Sequence, residues 1–474
     1  MISAISWVPK GVSKSEPIVA DPPPEDDIKE LIANHTTTSD NENDDDEVAN
    51  ALTVADAVGK PSTGNSDDIT LALKDLHMDR YDDEDEGVEL FSSGIGELYY
   101  PSNDMDPYIK EKDDDDSEEL EDMIINPTDS VIVYACTEDE VSYLEVWVLE
   151  DTDSSDMNMY PHHGIILSAF PLCTAWLDCP LQGGERGNFI AVGSMEPAIE
   201  IWDLDVIDEV QPCVVLGGFE EIKKKGKKKS IKYKDDSHTD SVLGLAWNKE
   251  YRNILASASA DKRVKIWDVV AGKCDITMEH HSDKARNYYD IQLKDVQAVA
   301  WNHHAPQVLL SGSFDHTVVL KDGRMPSHSG YKWSVTADVE SLAWDPHTEH
   351  SFVVSLEDGI INGFDIRTAN SASSSDLSST FTLHAHDKAV TSVSYNPSAP
   401  NVKLWDLANN QPSCVASKSP RVGAIFKISF SEDNPFLLAI GGSKGKLQVW
   451  DTLSDSSISR RYGNYNKNRS QSGS

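Results

Sequence analysis

The sequence predicts an all-β fold, a β-propeller, on three observations. Beyond residue 125, alternating apolar runs of four to six residues are separated by turn residues, a pattern typical of short antiparallel strands. The runs recur in units of about 40 to 45 residues. Most units end in Trp-Asp or a close variant of it. Four short strands repeated in this way form the blades of a propeller.

The repeat unit is defined by three segments that align without gaps, residues 242–268, 296–322 and 339–365. In each segment the first run ends in an aromatic residue, the second near an acidic turn residue, and the third in an aromatic residue or Lys followed by Asp. A fourth strand, such as residues 273–281, leads into the next unit. This order of strands and the Trp-Asp endings are typical of WD40 blades.

Three units depart from the regular spacing; in one of them, Trp176 and Trp202 are 26 residues apart because a connection is longer. The first-strand and third-strand aromatic residues are 20 residues apart from Trp247 to Trp267, but only 10 apart from Tyr395 to Trp405. The latter unit lacks the second strand and its turn, and the gap falls between residues 401 and 402. The loop before Trp301 instead carries 11 surplus residues, 285–295. These last two changes leave the downstream repeat intact, which suggests alternative or misassigned splicing.

The chain start supplies a strand that the repeats otherwise lack. Seven third strands can be counted, but only six first strands follow residue 125. The segment "ISAISWV" at residues 2–8 resembles "VLGLAWN", with Trp7 in the aromatic position. We therefore expect seven blades, with the sixth lacking one strand. The predicted organisation is a first propeller strand in 1–10, a mostly disordered acidic insertion in 11–125, the propeller in 126–455 and a disordered polar and basic tail in 456–474.

Acidic residues are concentrated in the predicted insertion. The net charge is −40, and residues 21–122 hold 34 Asp and Glu against 6 Lys and Arg, a net of −28. Such a segment buries too little apolar surface to offset the entropy of ordering. It is either a solubilising spacer or a docking arm for basic partners such as histones or ribosomal proteins. Ser39 has an acidic residue three positions on, a context that favours phosphorylation by acid-directed kinases.

One loop is strongly basic. Residues 223–234 read "KKKGKKKSIKYK". The run is either a plain surface loop or a nuclear or nucleolar targeting signal, and contact with RNA would be directed at the backbone and sensitive to salt. The eight lysines are Lys223, Lys224, Lys225, Lys227, Lys228, Lys229, Lys232 and Lys234.

The unit from 238 to 268 carries a complete set of internal polar residues. WD40 blades link such residues into a hydrogen-bonded chain that satisfies buried polar groups of three strands. We assign a structural role to this tetrad and expect no catalytic residue, since a strained Gly-x-Ser-x-Gly turn is missing. The four residues are His238, Ser257, Asp261 and Trp267.

No metal, cofactor or membrane association is expected from the sequence. Six scattered cysteines lack the paired spacing of zinc ribbons and are expected to be reduced core thiols. The histidine pairs 162/163, 280/281 and 303/304 could not bind one metal ion together from a strand, since adjacent strand residues point to opposite faces. They are expected to be loop histidines. The N-terminal apolar run lacks a basic leader, and no apolar run approaches the roughly 20 residues that cross a bilayer.

The chain resembles the periodic tryptophan protein 1 family. The resemblance rests on "SNDMDPY" at 102–108, on "ISAISWV" and on the lysine run before "HTDSVLGLAWNKEYRNILASASADKRVKIWD". It implies a non-enzymatic nucleolar scaffold of the WD40 type, acting in ribosome biogenesis, ribosomal RNA synthesis and chromatin. Its implied partners are ribosome assembly factors and histones, bound by a monomer within larger assemblies.

A second hypothesis is a substrate receptor of a cullin-RING ubiquitin ligase. The segments "KDGR" (321–324) and "FDIR" (364–367) end consecutive units and resemble the Trp-Asp-x-Arg motif of such receptors, with Arg324 and Arg367 as adaptor contacts. The Trp is replaced in both segments, and Arg is also a common rim residue. Purification of the tagged protein would discriminate between the two hypotheses.

Overall fold

The structure is a computed structural model of the chain. The residues it describes are 1–20, 123–151, 158–181, 183, 186–220, 232–281, 295–325, 330–370, 378–395, 405–406, 413–416, 418 and 420–460. Runs of β-branched and aromatic residues bounded by turns form short strands, and these pair into antiparallel sheets.

The first three sheets each contain four strands, which follow one another from the innermost outward and are numbered in chain order. The first sheet contains β1 (Ile2–Val8), β3 (Ser130–Glu138), β4 (Val141–Leu149) and β5 (Met159–Leu167). The second contains β6 (Pro171–Leu177), β7 (Phe189–Ser194), β8 (Ile199–Asp203) and β10 (Val214–Leu216). The third contains β13 (Val242–Trp247), β14 (Ile254–Ser259), β15 (Val264–Asp268) and β16 (Lys273–Met278).

Two further sheets have four strands and the last has three. The fourth contains β17 (Val296–Trp301), β18 (Val308–Ser313), β19 (Thr317–Asp322) and β20 (Tyr331–Ser334). The fifth contains β21 (Val339–Trp344), β22 (Ser351–Leu356), β23 (Ile360–Asp365) and β24 (Phe381–His384). The sixth contains β27 (Ile425–Phe430), β28 (Leu437–Gly442) and β29 (Gln448–Asp451). These six sheets are the blades of a WD40-type β-propeller.

The remaining described elements are short. Three two-stranded pairs are formed by β2 (Ile18–Val19) with β9 (Val206–Ile207), β11 (Phe219–Glu220) with β12 (Lys232–Tyr233), and β25 (Trp405–Asp406) with β26 (Ser413–Cys414). Short 3₁₀ helices span Ile366–Asn370 and Thr452–Ser454, and residues 456–460 are helical.

The ends of the predicted acidic insertion and of the predicted tail contain ordered residues. β2 pairs with β9 in parallel, and the backbone N–H of Ile125 donates to the carbonyl oxygen of Ser15. Ile125 and Ile458 are buried, so apolar contacts hold both stretches against the propeller. Residues 21–122 and 461–474 lie outside the described residues.

β1, the innermost strand of the first blade, contacts the blades on both sides of it. It pairs antiparallel with β3, and its Ser6 hydroxyl is 2.9 Å from that of Thr174 on β6. On its other side, the indole N–H of Trp7 donates to the carbonyl oxygen of Ser429 on β27 at 3.0 Å. The N-terminal strand therefore joins the second sheet to the sixth.

The same tryptophan contact recurs between other blades. Trp301 donates to the carbonyl oxygen of Ala246 at 3.1 Å, and Trp344 to that of Ala300 at 3.2 Å. In each case the acceptor immediately precedes the aromatic residue that ends the preceding innermost strand. The aromatic position of the repeat thus links each of these blades to its neighbour.

The hydrophobic core lies between successive sheets. One buried cluster joins the first sheet to the sixth through residues such as Ile2, Ile132 and Ala439, and other clusters join the first four sheets to their successors. Among the described residues, no cluster joins the fifth sheet to the sixth. The remaining cluster belongs to the sixth sheet and packs against Val415 and Ala416.

The irregular unit predicted at 395–406 lies in this interval. Residues 391–395 run beside β27 without pairing in a sheet. Thr391 donates its hydroxyl to the carbonyl oxygen of Ile425, and the backbone N–H of Ile428 donates to the hydroxyl of Ser392. This segment therefore lies alongside the innermost strand of the sixth sheet.

Candidate binding surfaces and buried polar networks

The side chains of the predicted tetrad form one hydrogen-bonded chain. His238 precedes β13, Ser257 is on β14, Asp261 is in the turn after β14, and Trp267 is on β15. The Ser257 hydroxyl is 2.7 Å from Nε2 of His238 and accepts the indole N–H of Trp267 at 2.8 Å. Nδ1 of His238 is 2.9 Å from the Asp261 carboxylate. The chain connects the entry loop to three strands.

The protonation states follow from the direction of these bonds. Since Trp267 can only donate to Ser257, the Ser257 hydroxyl donates to Nε2 of His238, and Nδ1–H of His238 donates to Asp261. Burial lowers the pKa of His238. Burial opposes ionisation of Asp261, but hydrogen bonds from His238, Thr239 and Arg263 outweigh it and lower the pKa of this carboxyl. A neutral imidazole thus faces a carboxylate.

Hydrogen-bonded Ser, His and Asp also form the catalytic triads of hydrolases, but here the serine is buried and already bonded. The side chains of Ser257 and His238 are fully buried, and the Ser257 oxygen already accepts the Trp267 N–H. A nucleophile must reach its substrate, so this arrangement favours a structural role.

A second network in the fourth sheet was missed by sequence reasoning. Nε2 of His281 is 2.9 Å from the Ser311 hydroxyl, Nδ1 is 3.2 Å from the Asp315 carboxylate, and Nε2 of His280 is 2.7 Å from the same hydroxyl. Lys321 takes the place of the tryptophan, and burial lowers its pKa. The signal that could have revealed this network is that Ser311, Asp315 and Lys321 keep the spacing of Ser257, Asp261 and Trp267.

The expectation that the paired histidines lie in loops is wrong for His162 and His163, and His280 and His281 lie in a turn but share one hydrogen-bond partner. His280 and His281 converge on one hydroxyl. His162 and His163 are on β5, and their Nδ1 atoms are 2.8 Å apart. The register between β4 and β5 shifts at this point, and a bulge places adjacent side chains on the same side.

The described residues contain no group of three or more His, Cys, Asp or Glu that could hold a metal ion. All six cysteines are free. Burial raises the pKa of Cys136, Cys173, Cys179 and Cys213 to about 12, which keeps these thiols protonated. Cys414 is exposed, unlike the core thiol that the sequence predicted. No helix in the described ranges is long and apolar enough to span a bilayer.

The lysine run extends from a hairpin between the second and third sheets. β11 pairs with β12, and the rings of Phe219 and Tyr233 lie 5.2 Å apart. Lys232 forms an ion pair with Glu220, and the backbone N–H of Lys234 donates to the carbonyl oxygen of Gly218. The other six lysines of the run, and Ser39, lie outside the described residues.

The two arginines of the degraded receptor motif have the same geometry. Arg324 contacts Asp322 through Nε at 3.0 Å and Nη2 at 2.8 Å, and Arg367 contacts Asp365 at 3.0 and 2.6 Å. Their side chains are 66% and 69% exposed. Hydrogen bonds from Arg367 lower the pKa of Asp365. Both guanidinium groups are held in place on the surface after the third strand of their blades.

A mostly apolar pocket of about 300 Å³ lies between the third and fourth sheets, beside one of these arginines. Ile254, Ile266, Ile276 and Trp301 contribute to its wall, and Arg324 lies at its edge.

Repeated four-stranded blades, the buried tetrad and exposed blade edges define the class of the protein, a WD-repeat β-propeller. The WD domain, G-beta repeat family matches residues 229–268. A WD repeat-containing protein of Schizosaccharomyces pombe is 35% identical over 419 residues, covering 84% of this chain and 77% of its own.

Two relatives carry a more specific name. Periodic tryptophan protein 1 of Saccharomyces cerevisiae is 29% identical over 531 aligned residues, covering 98% of this chain and 90% of its own. The Drosophila melanogaster homolog of that protein is 27% identical and covers 74% of this chain and 73% of its own. The chain belongs to the periodic tryptophan protein 1 family of WD-repeat proteins.

Proposed function

We propose that this protein is a non-enzymatic scaffold of ribosome biogenesis that acts in the nucleolus, in pre-ribosomal RNA processing or ribosomal RNA transcription and in contact with chromatin. The observation that carries the proposal is that the chain belongs to this family and has a lysine-rich run whose flanking segments pair as β11 and β12. Its polar networks are buried, which favours a platform for partners over a catalytic surface.

The proposal includes a propeller of seven blades. Residues 391–395 lie beside β27 as an innermost strand would, and β25 and β26 supply two outer strands of the same unit. The sixth unit, counted along the chain, would then lack its second strand. The sheet of β27, β28 and β29 would be the seventh blade.

The acidic insertion and the lysine run have complementary parts in this proposal. The insertion is a disordered docking arm for basic partners such as histones or ribosomal proteins. The lysine run directs the protein to the nucleolus and contributes backbone-directed, salt-sensitive RNA contact. Phosphorylation of Ser39 would add to the negative charge of the arm.

Purification of the tagged full-length protein, with and without nuclease, tests the scaffold proposal. We expect ribosome assembly factors in both samples and ribosomal RNA only without nuclease. A variant in which the six lysines between residues 223 and 229 are replaced by Gln should no longer accumulate in the nucleolus, as imaging of the tagged protein would show. Absence of assembly factors from both samples would refute the proposal.

A role as a cullin-RING ligase receptor is the second candidate. The observation that favours it is the matched geometry of Arg324 and Arg367, each clamped by an aspartate and exposed. If the candidate holds, the double variant R324A/R367A loses a ligase adaptor from the purification and keeps the assembly factors. Because both arginines are on the surface, this variant should fold normally.

A further inference from the structure

The innermost strands of the six described sheets all contain a bulge at the same place. The register shifts between Ile2 and Ala4 in β1 and between Ile425 and Lys427 in β27, and the other four strands shift at the equivalent step. A shared bulge makes the residue that follows it directly comparable between blades. These six residues are Ala4, Cys173, Gly244, Ala298, Ser341 and Lys427.

Five of these residues are small and only Lys427 is long and charged. Lys427 is opposite Gly441 on β28, and a Cβ added at Gly441 would meet Ile2 and Ile5 of β1. Cross-strand partners share a face, so the Lys427 side chain extends toward β1 on the inside of the ring. It comes close enough to Cys173 on β6 for its charge to lower the pKa of that thiol against the larger effect of burial.

Lys427 is half-buried and has no carboxylate partner among the described residues. Burial lowers its pKa, and the thiol of Cys173 is the titratable neighbour that acts on it. None of the ion pairs formed among the described residues involves Lys427. A desolvated cation that lacks a carboxylate partner costs stability, and such groups are kept mostly at functional sites.

Three exposed basic residues lie at the same corner of the blade. The N–H of Lys444 donates to the carbonyl oxygen of Val422 at 3.0 Å, so the loop that contains Arg421 lies against the turn that contains Lys444 and Lys446. We call Arg421, Lys427, Lys444 and Lys446 the basic corner.

The charge of the basic corner is not balanced by carboxylates of the described residues within ion-pair distance. The chain has 41 basic against 81 acidic residues, and ion pairs with carboxylates hold many of its described lysines and arginines. These paired residues are Lys10, Lys232, Lys249, Arg252, Arg263, Arg324, Lys332 and Arg367. No ion pair among the described residues involves the four members of the basic corner.

We propose that the basic corner binds an acidic peptide segment of a partner protein, with one anionic side chain entering the ring to meet Lys427. A carboxylate or a phosphoserine would satisfy the amine, and Arg421, Lys444 and Lys446 would bind the flanking acidic residues. A recessed lysine is reached by a side chain more readily than by a nucleic-acid backbone, which favours a peptide over RNA. That the partner is a protein follows from the proposed scaffold role, on which this inference rests.

Fluorescence anisotropy with the purified full-length protein tests the proposal. The probes are a labelled octapeptide, Gly-Glu-Ser-Glu-Glu-Ser-Glu-Gly, its doubly phosphorylated form and its Gln-for-Glu form. We expect the first two to bind, more weakly at higher salt, and the third not to bind. The ratio of the first two affinities tells whether carboxylate or phosphate is preferred.

Three variants make the test specific. K427M should weaken binding at least about tenfold, the loss expected for a charge-assisted contact. K427R should retain binding within about threefold, and K273Q, an exposed lysine on the outermost strand of the third blade, should bind as the unmodified protein does. K427M should melt at the same or a higher temperature, which separates lost binding from misfolding.

Three results would overturn the proposal. The first is that K427M binds the acidic peptide as tightly as the unmodified protein does. The second is that K427M and K273Q lose the same amount of peptide affinity. The third is that a uridine dodecamer binds more tightly than the peptide and that this binding is also weakened by K427M. The anisotropy assay uses purified components, so a negative result there does not bear on the nucleolar scaffold proposal. That proposal is tested separately by the purification with and without nuclease.

Discussion

Trp7 and Ser429, which are 422 positions apart in the chain, are joined by a hydrogen bond of 3.0 Å from the indole N–H to the carbonyl oxygen. The bond links the N-terminal strand to the last blade. Around it, Ile2 and Ile132 of the first blade pack against Leu437 and Ala439 of the last. A few residues at the chain start therefore hold the ends of the propeller together.

Replacement of Trp7 should open this junction. W7F keeps most of the ring volume but leaves the Ser429 carbonyl without its donor, at an expected cost of about 1–3 kcal/mol in the free energy of unfolding. W7A also leaves a cavity and should cost about 3–5 kcal/mol. Urea unfolding followed by tryptophan fluorescence measures both. A W7F midpoint equal to that of the unmodified protein would show that the bond contributes nothing.

The tetrad should behave as one unit. S257A removes the hydroxyl that His238 and Trp267 share, and W267F removes one of its donors, so each should cost about 1–3 kcal/mol. In the double variant the two losses should not add, because the same bond is missing from both. Additive losses in a double-mutant cycle from urea unfolding would contradict the connected chain.

Acid should destabilise the fold partly through His163. Burial, with a smaller effect of His162, lowers the pKa of His163 to about 4, below the unfolded value of 6.5. Between these values the unfolded chain binds more protons, so stability is lost as the pH falls from about 6.5 toward 4, by up to about 1.4 kcal/mol per pH unit. H163Q should reduce this slope, measured by urea unfolding at pH 7 and pH 5. If H163Q shows the same change in the free energy of unfolding between pH 7 and pH 5 as the unmodified protein, groups other than His163 cause the acid destabilisation.

Restoring the missing strand should stabilise the protein. We expect insertion of "ILASASADKR", copied from residues 254–263, between Asn401 and Val402 to raise the melting temperature and the solubility, because the unit would regain a strand that pairs on both sides. An insertion of ten Gly and Ser residues is the matched control. Equal melting temperatures for the chain with and without the copied strand would refute the expectation.

The sequence predicted the propeller because its information is periodic. The 20-residue spacing located the strands from Trp247 to Trp267, and the similarity of "ISAISWV" to a first strand located β1. It failed where local geometry breaks the period. A bulge turned His162 and His163 to the same side. His281 was interpreted as a loop histidine, although it bonds to the Ser311 hydroxyl inside the fourth blade. Lys427 stands where the other innermost strands have small residues, and this equivalence depends on the register shifts of the strands, which the sequence did not predict.

The central claim is that the protein is a scaffold of ribosome biogenesis. Measuring pre-ribosomal RNA in cells depleted of the protein tests this claim most directly. The ratio of precursor to mature ribosomal RNA, measured by hybridisation to total RNA, should rise at least about twofold if processing is affected, or both species should fall if transcription is. Re-expression of the unmodified chain should restore it. Normal precursor and mature levels in depleted cells would contradict the account.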